Sequence, residues 1–267
     1  MKGAIFALLL IISSTVSAQR FNDGEVLYYR AAYRAKLVPN IEAGEVTIST
    51  KQGTLDGKEV HHVTANGRTL PFFRWFFDMN DTYDIWVDKA TLRTQRFESD
   101  IKEDKYTFRS RYRYDWKAMK VHTWSQKYTE PPRRKTMDLT PQSMDAVSLY
   151  FNLRSVDLDS FNKGEHRQLD MVLEDTIRHL RFRFINREEV KVPKLGKFDT
   201  MKFACTIGSS EEFSFTDGTE FFIWITNDEN KIPVMLASPV RVGEVRAYLH
   251  RYEGLRYPLS SKLTHEK

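Results

Sequence analysis

Only one stretch of this chain, Thr140 to Arg154 (TPQSMDAVSLYFNLR), carries the pattern of a long helix, and that scarcity constrains the fold more than any other feature. Thr140 offers a side-chain oxygen to an orphan backbone N–H, and Pro141 at the first helical position forfeits no bond. Met144, Val147, Tyr150 and Phe151 recur at spacings of three and four, which gives one apolar face. Elsewhere the apolar period falls to two. The sequence therefore predicts an all-β fold with one principal helix over 141–154. Its sheet would be antiparallel and strongly curved, or an open barrel, packed against that helix.

The strands read in hairpin order. Lys105 to Trp116 is the most regular, with Tyr106, Phe108, Tyr112, Tyr114 and Trp116 on one face and Arg109, Arg111 and Arg113 on the other. Val121 to Tyr128 is its expected partner. Asp56-Gly57 marks a hairpin turn, and Pro39-Asn40 a second turn. Leu180, Phe182 and Phe184 alternate with His179, Arg181 and Arg183, and Phe221 to Ile225 reads as a buried strand. Tyr83-Asp84-Ile85-Trp86-Val87-Asp88 answers Phe221-Phe222-Ile223-Trp224-Ile225-Thr226, and Gly-Glu-Val recurs at 24, 44 and 243, each time opening a strand, as if the halves were distant copies of one unit. Pro131-Pro132-Arg133-Arg134-Lys135 reads as a basic linker into the helix. The domain reading is a single β-rich domain over 19–257, two β-halves joined by the helix, followed by a frayed polar tail, 258–267.

The first 18 residues look like a cleavable signal peptide. Lys2 is followed by the apolar run Ile5 to Ile12 and the small-residue site Val16-Ser17-Ala18. That run is too short to span a bilayer, and no later segment approaches the needed length. The one cysteine, Cys205, lies far from this site, so neither a lipid anchor nor an internal disulfide is expected. It reads as a small buried hydrophobe. The expected location is periplasmic or secreted. The net charge of +5 is spread over the chain rather than gathered in a tail, and export removes nucleic acid as a partner.

The residues supply no catalytic motif. There is no Gly-x-Ser-x-Gly turn, and Ser148 inside the helix reads as a small packing residue. His61 and His62 are adjacent on a strand and point to opposite faces, so they cannot chelate together. Asp78, Asn80, Asp81, Asp84 and Asp88 lack the glycine and terminal glutamate of a calcium loop. No catalytic residue, metal or cofactor is assigned. For glycoside hydrolysis, Glu25, Glu45, Asp84, Asp145, Asp228 and Glu244 are the available acids.

Two features invite binding. Phe72, Phe73, Trp75, Phe76 and Phe77 crowd one short segment after Pro71, where adjacent aromatics cannot share a strand face. They read as the lining of an apolar ligand site or as the staple of a barrel end. Arg109, Arg111, Arg113, Arg181 and Arg183 form polar strand rows suited to anionic groups, or to plain solvation of a sheet face.

The order of several short motifs resembles the exported domain-of-unknown-function 3108 family. They include Gly24-Glu25-Val26-Leu27-Tyr28-Tyr29, Ala43-Gly44-Glu45-Val46, Asp81-Thr82-Tyr83 and Asp145 to Arg154. They continue through Gly196-Lys197-Phe198, Ile223 to Asp228, Ile232-Pro233-Val234 and Val242-Gly243-Glu244-Val245. The resemblance implies a β-rich exported protein, kin in shape to lipoprotein carriers, with no catalytic residues to carry over. The expectation is a non-enzymatic envelope protein that binds an apolar or amphipathic, lipid-like ligand or a protein partner. The alternatives are an envelope hydrolase working through acids near Asp84 and Asp145, and an interaction module using exposed strand edges.

Overall fold

The computed structural model describes residues 20–35, 38–155, 158–173, 175–208, 220–240 and 243–263. The N-terminal segment read as a signal peptide lies outside these residues. The first half is a meander of eight strands: β1 (Glu25–Ala35), β2 (Val38–Leu55), β3 (Lys58–Thr69), β4 (Asn80–Asp88), β5 (Thr94–Glu103), β6 (Tyr106–Asp115), β7 (Lys120–Lys127) and β8 (Arg133–Asp138). After the short β9 (Ser143–Met144) and one helix, α1 (Ser148–Ser155), a second meander follows. It comprises β10 (His166–Leu173), β11 (Thr176–Val192), β12 (Gly196–Ile207), β13 (Glu220–Thr226), β14 (Pro233–Pro239) and β15 (Glu244–Glu253). A final short strand, β16 (Lys262–Leu263), pairs with β12.

All of this is one sheet. β1 lies between β2 and β15, so the two meanders run away from that junction, one to β8 and the other to β9. The two ends are not paired with each other among the described residues, so the sheet does not close. Every pairing is antiparallel except β9 with β10. Alternation along each strand sends one face inward. On β6, Phe108, Tyr112 and Tyr114 are buried while Arg109 and Arg113 are exposed.

The buried side chains form two clusters. One includes Phe21, Val63, Ile85, Phe97, Tyr112 and Phe151. The other, around Phe182 and Phe203, draws on β10 to β13 and on Leu149 and Leu153. Tyr150 and Phe151 of α1 belong to the first cluster and Leu149 and Leu153 to the second, so this helix contributes to both. Cys205 is buried there, and its thiol is pushed up to about 12 by loss of solvent.

Four expectations need correction. The helix spans Ser148–Ser155, not 141–154, because Asp145 rather than Thr140 caps it: its Oδ1 accepts from the backbone N–H of Val147 (3.0 Å) and Ser148 (2.9 Å). Thr140 instead donates to Asp170 (2.6 Å), and Ser143–Met144 pairs with β10. The supposed linker Arg133–Lys135 is an edge strand. Its residues are almost all exposed, so there is no alternation to read. Pro39-Asn40 lies within β2, and Gly44 is likewise inside that strand rather than opening one.

The segment 258–263 is docked. Ser261 is buried, and its hydroxyl and backbone N–H both donate to Asp228. Just before it, Gly254 sits at φ +64°, and a Cβ there would lie 2.7 Å from the carbonyl oxygen of Gly24. Gly254→Ala is therefore expected to cost about 2 kcal/mol, since strain and a backbone clash add. A fall in thermal midpoint checks this, and an unchanged midpoint would show that the approach relaxes freely.

Candidate functional site

The aromatic segment follows β3. Pro71, with its φ already set, opens a 3-10 turn over Pro71–Phe73, and the N–H groups of Phe76 and Phe77 bond back to the carbonyl of Phe73. The base of the loop is fixed. Thr69 N–H donates to Met79 O (2.9 Å), Leu70 N–H to Ala43 O (2.8 Å), and Asp78 and Asp104 exchange two bonds. From this base the rings stand outward: Phe72 is 76%, Trp75 80% and Phe76 77% exposed. Phe77 is exposed and Phe73 half-buried. Phe72 meets Phe73 edge-on at 5.1 Å, and Trp75 meets Phe76 at 6.0 Å. The rings neither line the three clefts described here nor staple the core; they form an apolar patch on a fixed loop.

Strand register decides what the arginine rows do. Arg109, Arg111 and Arg113 stand opposite Asp100, Glu98 and Arg96 of β5. Arg111 reaches Glu98 (3.0 Å) and Asp100 (3.1 Å), Arg109 approaches Asp100 (3.8 Å), and Arg96 pairs with Glu98. Acids thus interleave with the row and relieve the like charges. Arg113, facing Arg96 and His122, has no carboxylate partner among the described residues. A groove of about 1040 Å³ runs over this face, with Arg96, Arg111, Arg113, His122, Trp124 and Arg134 in its walls. Arg181 and Arg183 are on β11, in the other meander, and Arg183 is paired with Glu220 (2.9 Å). The two rows are not brought together.

A smaller cleft, about 380 Å³, lies beside the junction of the meanders. Arg30 (2.6 Å) and Arg68 both clamp Glu45 there, near His250 and Arg251. The third cleft, about 350 Å³, flanks β8 and is lined by Thr123, Ser125, Arg133, Arg134, Lys135 and Asp175. In the sequence its three cations read only as a basic linker, because the strand carrying them has no apolar face. The Pro131-Pro132 break after the β7 run was the available signal for a hairpin.

The acids named for hydrolysis have separate local roles. Asp84 lies on the outer face, 2.8 Å from His62 Nε2, and accepts from Thr64 (2.9 Å). Asp145 is fully buried on the other side of the sheet. It caps α1 and accepts from the hydroxyls of Thr94 (2.6 Å) and Ser148. Burial pushes its carboxyl up against those stabilising bonds. Asp228 organises the β13–β14 turn, and Glu25 is sealed against Arg154. Asp81 and Asp84, both in the aspartate-rich run, fall on opposite faces of β4; Asp81 is buried and its carboxyl is pushed up to about 6 by desolvation. Among the described residues no group of His, Cys, Asp and Glu is arranged to hold a metal.

His61 is buried against Phe21 (5.8 Å) and Phe151 (6.1 Å), and desolvation lowers its pKa to about 4. Between pH 6.5 and 4 the unfolded chain therefore takes a proton that the folded chain refuses, so stability falls as pH falls through that window. His61→Gln is expected to flatten this limb of the stability profile by roughly 2–3 kcal/mol relative to the native chain. Urea midpoints at pH 7 and pH 4.5 measure it. Equal slopes in both proteins would mean that His61 is not the group responsible.

The architecture defines a class first: a β-barrel-like sheet that stops short of closure. A crystal structure of a β-barrel-like protein of domain of unknown function DUF1849 from Brucella abortus is similar over 88% of this chain and 99% of its own, with TM-score 0.55 and 10% identity. At that identity the likeness is one of fold. The profile of the family described as protein of unknown function (DUF3108) matches residues 28–250, and the chain belongs to this family. No curated protein sequence matches it. No helix among the described residues is long and apolar enough to cross a membrane.

Proposed function

We propose that this is an exported, non-enzymatic envelope protein that binds an amphipathic, lipid-like ligand, with the loop of Phe72, Trp75 and Phe76 meeting its apolar part. In this reading the curved sheet is the scaffold, α1 is a strap against its buried face, and basic side chains of the sheet answer an anionic head. The observation that carries it is the exposure of those three rings on a loop fixed at its base. Large apolar side chains grouped in water mark a contact surface, and Trp favours the boundary between apolar chains and water. The acids offered for hydrolysis lie on opposite faces of the sheet, which supports binding over hydrolysis.

Vesicle flotation tests the reading. The purified protein is expected to float with vesicles made from envelope phospholipids, and Trp75→Ser with Phe76→Ser is expected to weaken that association by about tenfold or more. These side chains are exposed, so the melting temperature should not change. A variant that floats like the native protein would overturn the role of the loop.

A further inference from the structure

The third cleft gathers several cations that form no ion pair with a carboxylate among the described residues; Arg113, in the large groove, is another such cation. Arg30, Arg68, Arg96, Arg109, Arg111 and Arg183 each face a carboxylate of their own sheet. Arg133 and Arg134 of β8 have none among the described residues, and the ammonium of Lys135 donates only to the backbone carbonyl of Asp175 (2.7 Å), across the gap where the sheet fails to close. Register places these cations. Arg133 stands opposite Ser125 and Lys135 opposite Thr123, and both hydroxyl residues are on the buried face of β7. Arg134 stands opposite Trp124 on the outer face. Two cations of the edge strand therefore share a face with two hydroxyls, and the third lines the same cleft from its rim.

Charge on an exposed edge is also a defence against strand-to-strand aggregation. That defence accounts for the cations but needs no hydroxyl beside them. The hydroxyl of Thr123 donates to Lys135 O at a long 3.3 Å, and that of Ser125 makes no hydrogen bond to the described residues. A site of two or three cations and one uncommitted hydroxyl donor, with Asp175 the single acid in its lining, suits a compact oxyanion with several acceptors.

We propose that the cleft beside β8 binds a phosphate group, with Arg133 and Lys135 supplying charge, Ser125 supplying a hydroxyl donor, and Arg134 closing the rim. The proposal rests on the amphiphile reading above and assigns the polar head of that ligand. A lipid headgroup and a soluble phosphate ester share this chemistry.

Titration calorimetry with inorganic phosphate, beside flotation on phosphatidylcholine vesicles with and without phosphatidylglycerol, tests the site and separates the sources. The native protein is expected to bind phosphate. Arg133→Ser with Lys135→Ser should weaken this by roughly tenfold or more, and Arg133→Lys with Lys135→Arg should restore it. Trp75→Ser with Phe76→Ser should leave phosphate binding unchanged. Loss of flotation on the anionic vesicles in both serine variants identifies a lipid head. Phosphate binding without flotation identifies a soluble ester: the cleft then stands and the amphiphile reading falls. Flotation that depends on the aromatic pair but not on Arg133 and Lys135 leaves that reading intact and overturns the cleft, as does native-like phosphate binding by the serine variant or none by the native protein.

Discussion

Arg154→Leu is expected to destabilise the protein by about 3–5 kcal/mol. The guanidinium is fully buried, as is its partner Glu25. It donates to both carboxylate oxygens of Glu25, to the hydroxyl of Tyr150 and, through Nε, to the carbonyl of Asn230 (2.9 Å). It also reaches the carbonyl of Arg20 (3.0 Å). Tyr150 in turn donates to Glu25 (2.7 Å). Burial alone would weaken the charge, yet Tyr150 and Glu25 hold the Arg154 pKa above its ordinary value, and burial drives the phenol of Tyr150 well up. Removing the cation strips Glu25 of its counterion in a dry site. The leucine also abandons two carbonyls. If that is the mechanism, the double variant Glu25→Leu with Arg154→Leu should recover a substantial part of the loss, because it deletes both charges. Urea unfolding with an unchanged slope measures the effect; a double variant worse than the sum of the two single losses would contradict it.

Phe182→Ala should cost a similar amount, about 3–5 kcal/mol, for an unrelated reason. Its ring is 1% exposed and lies 5.5 Å from Phe161 and 6.0 Å from Phe203 in the second cluster. Neighbouring strands hold Cys205 and Arg167 opposite it, so the surrounding backbone is tied by ladder bonds on both sides and cannot collapse into the void. Phe182→Leu, which keeps more of the volume, should lose less than half as much. Equal losses for the two substitutions would point to strain rather than a cavity. Because the Arg154 network lies in a different part of the core, the losses from the two sites should add.

Much of the strand framework was legible because most strands have one buried face. β6 is the clearest case: Phe108, Tyr112 and Tyr114 alternate with arginines, and the register confirms that the arginines share the outer face. β8 was illegible for the opposite reason. An edge strand exposed on nearly every residue has no period, and its basic run looks the same as a linker. The helix was overdrawn because Pro141 and Thr140 satisfy the rules for a start. The buried demand of Asp145, bonded by Thr94 and Ser148, moved the cap five residues on. Arg154 shows the limit for sites. A basic residue in the last helical turn ordinarily serves the helix dipole in water, and nothing local reveals a glutamate 129 residues away waiting to bury it. The aromatic loop was legible as a break in alternation. Its exposure was not legible, because adjacent aromatics read the same on an open loop as in a cavity wall.

In the proposed function the scaffold holds an amphipathic ligand through its aromatic loop. The most direct test is native mass spectrometry of the protein isolated from a Gram-negative periplasm, followed by lipid extraction. The account predicts a species heavier than the polypeptide by the mass of an envelope lipid, recovered in the extract and lost when Trp75 and Phe76 become serine in a chain that still melts normally. A bare polypeptide mass, with no uptake from an envelope lipid extract, would contradict it.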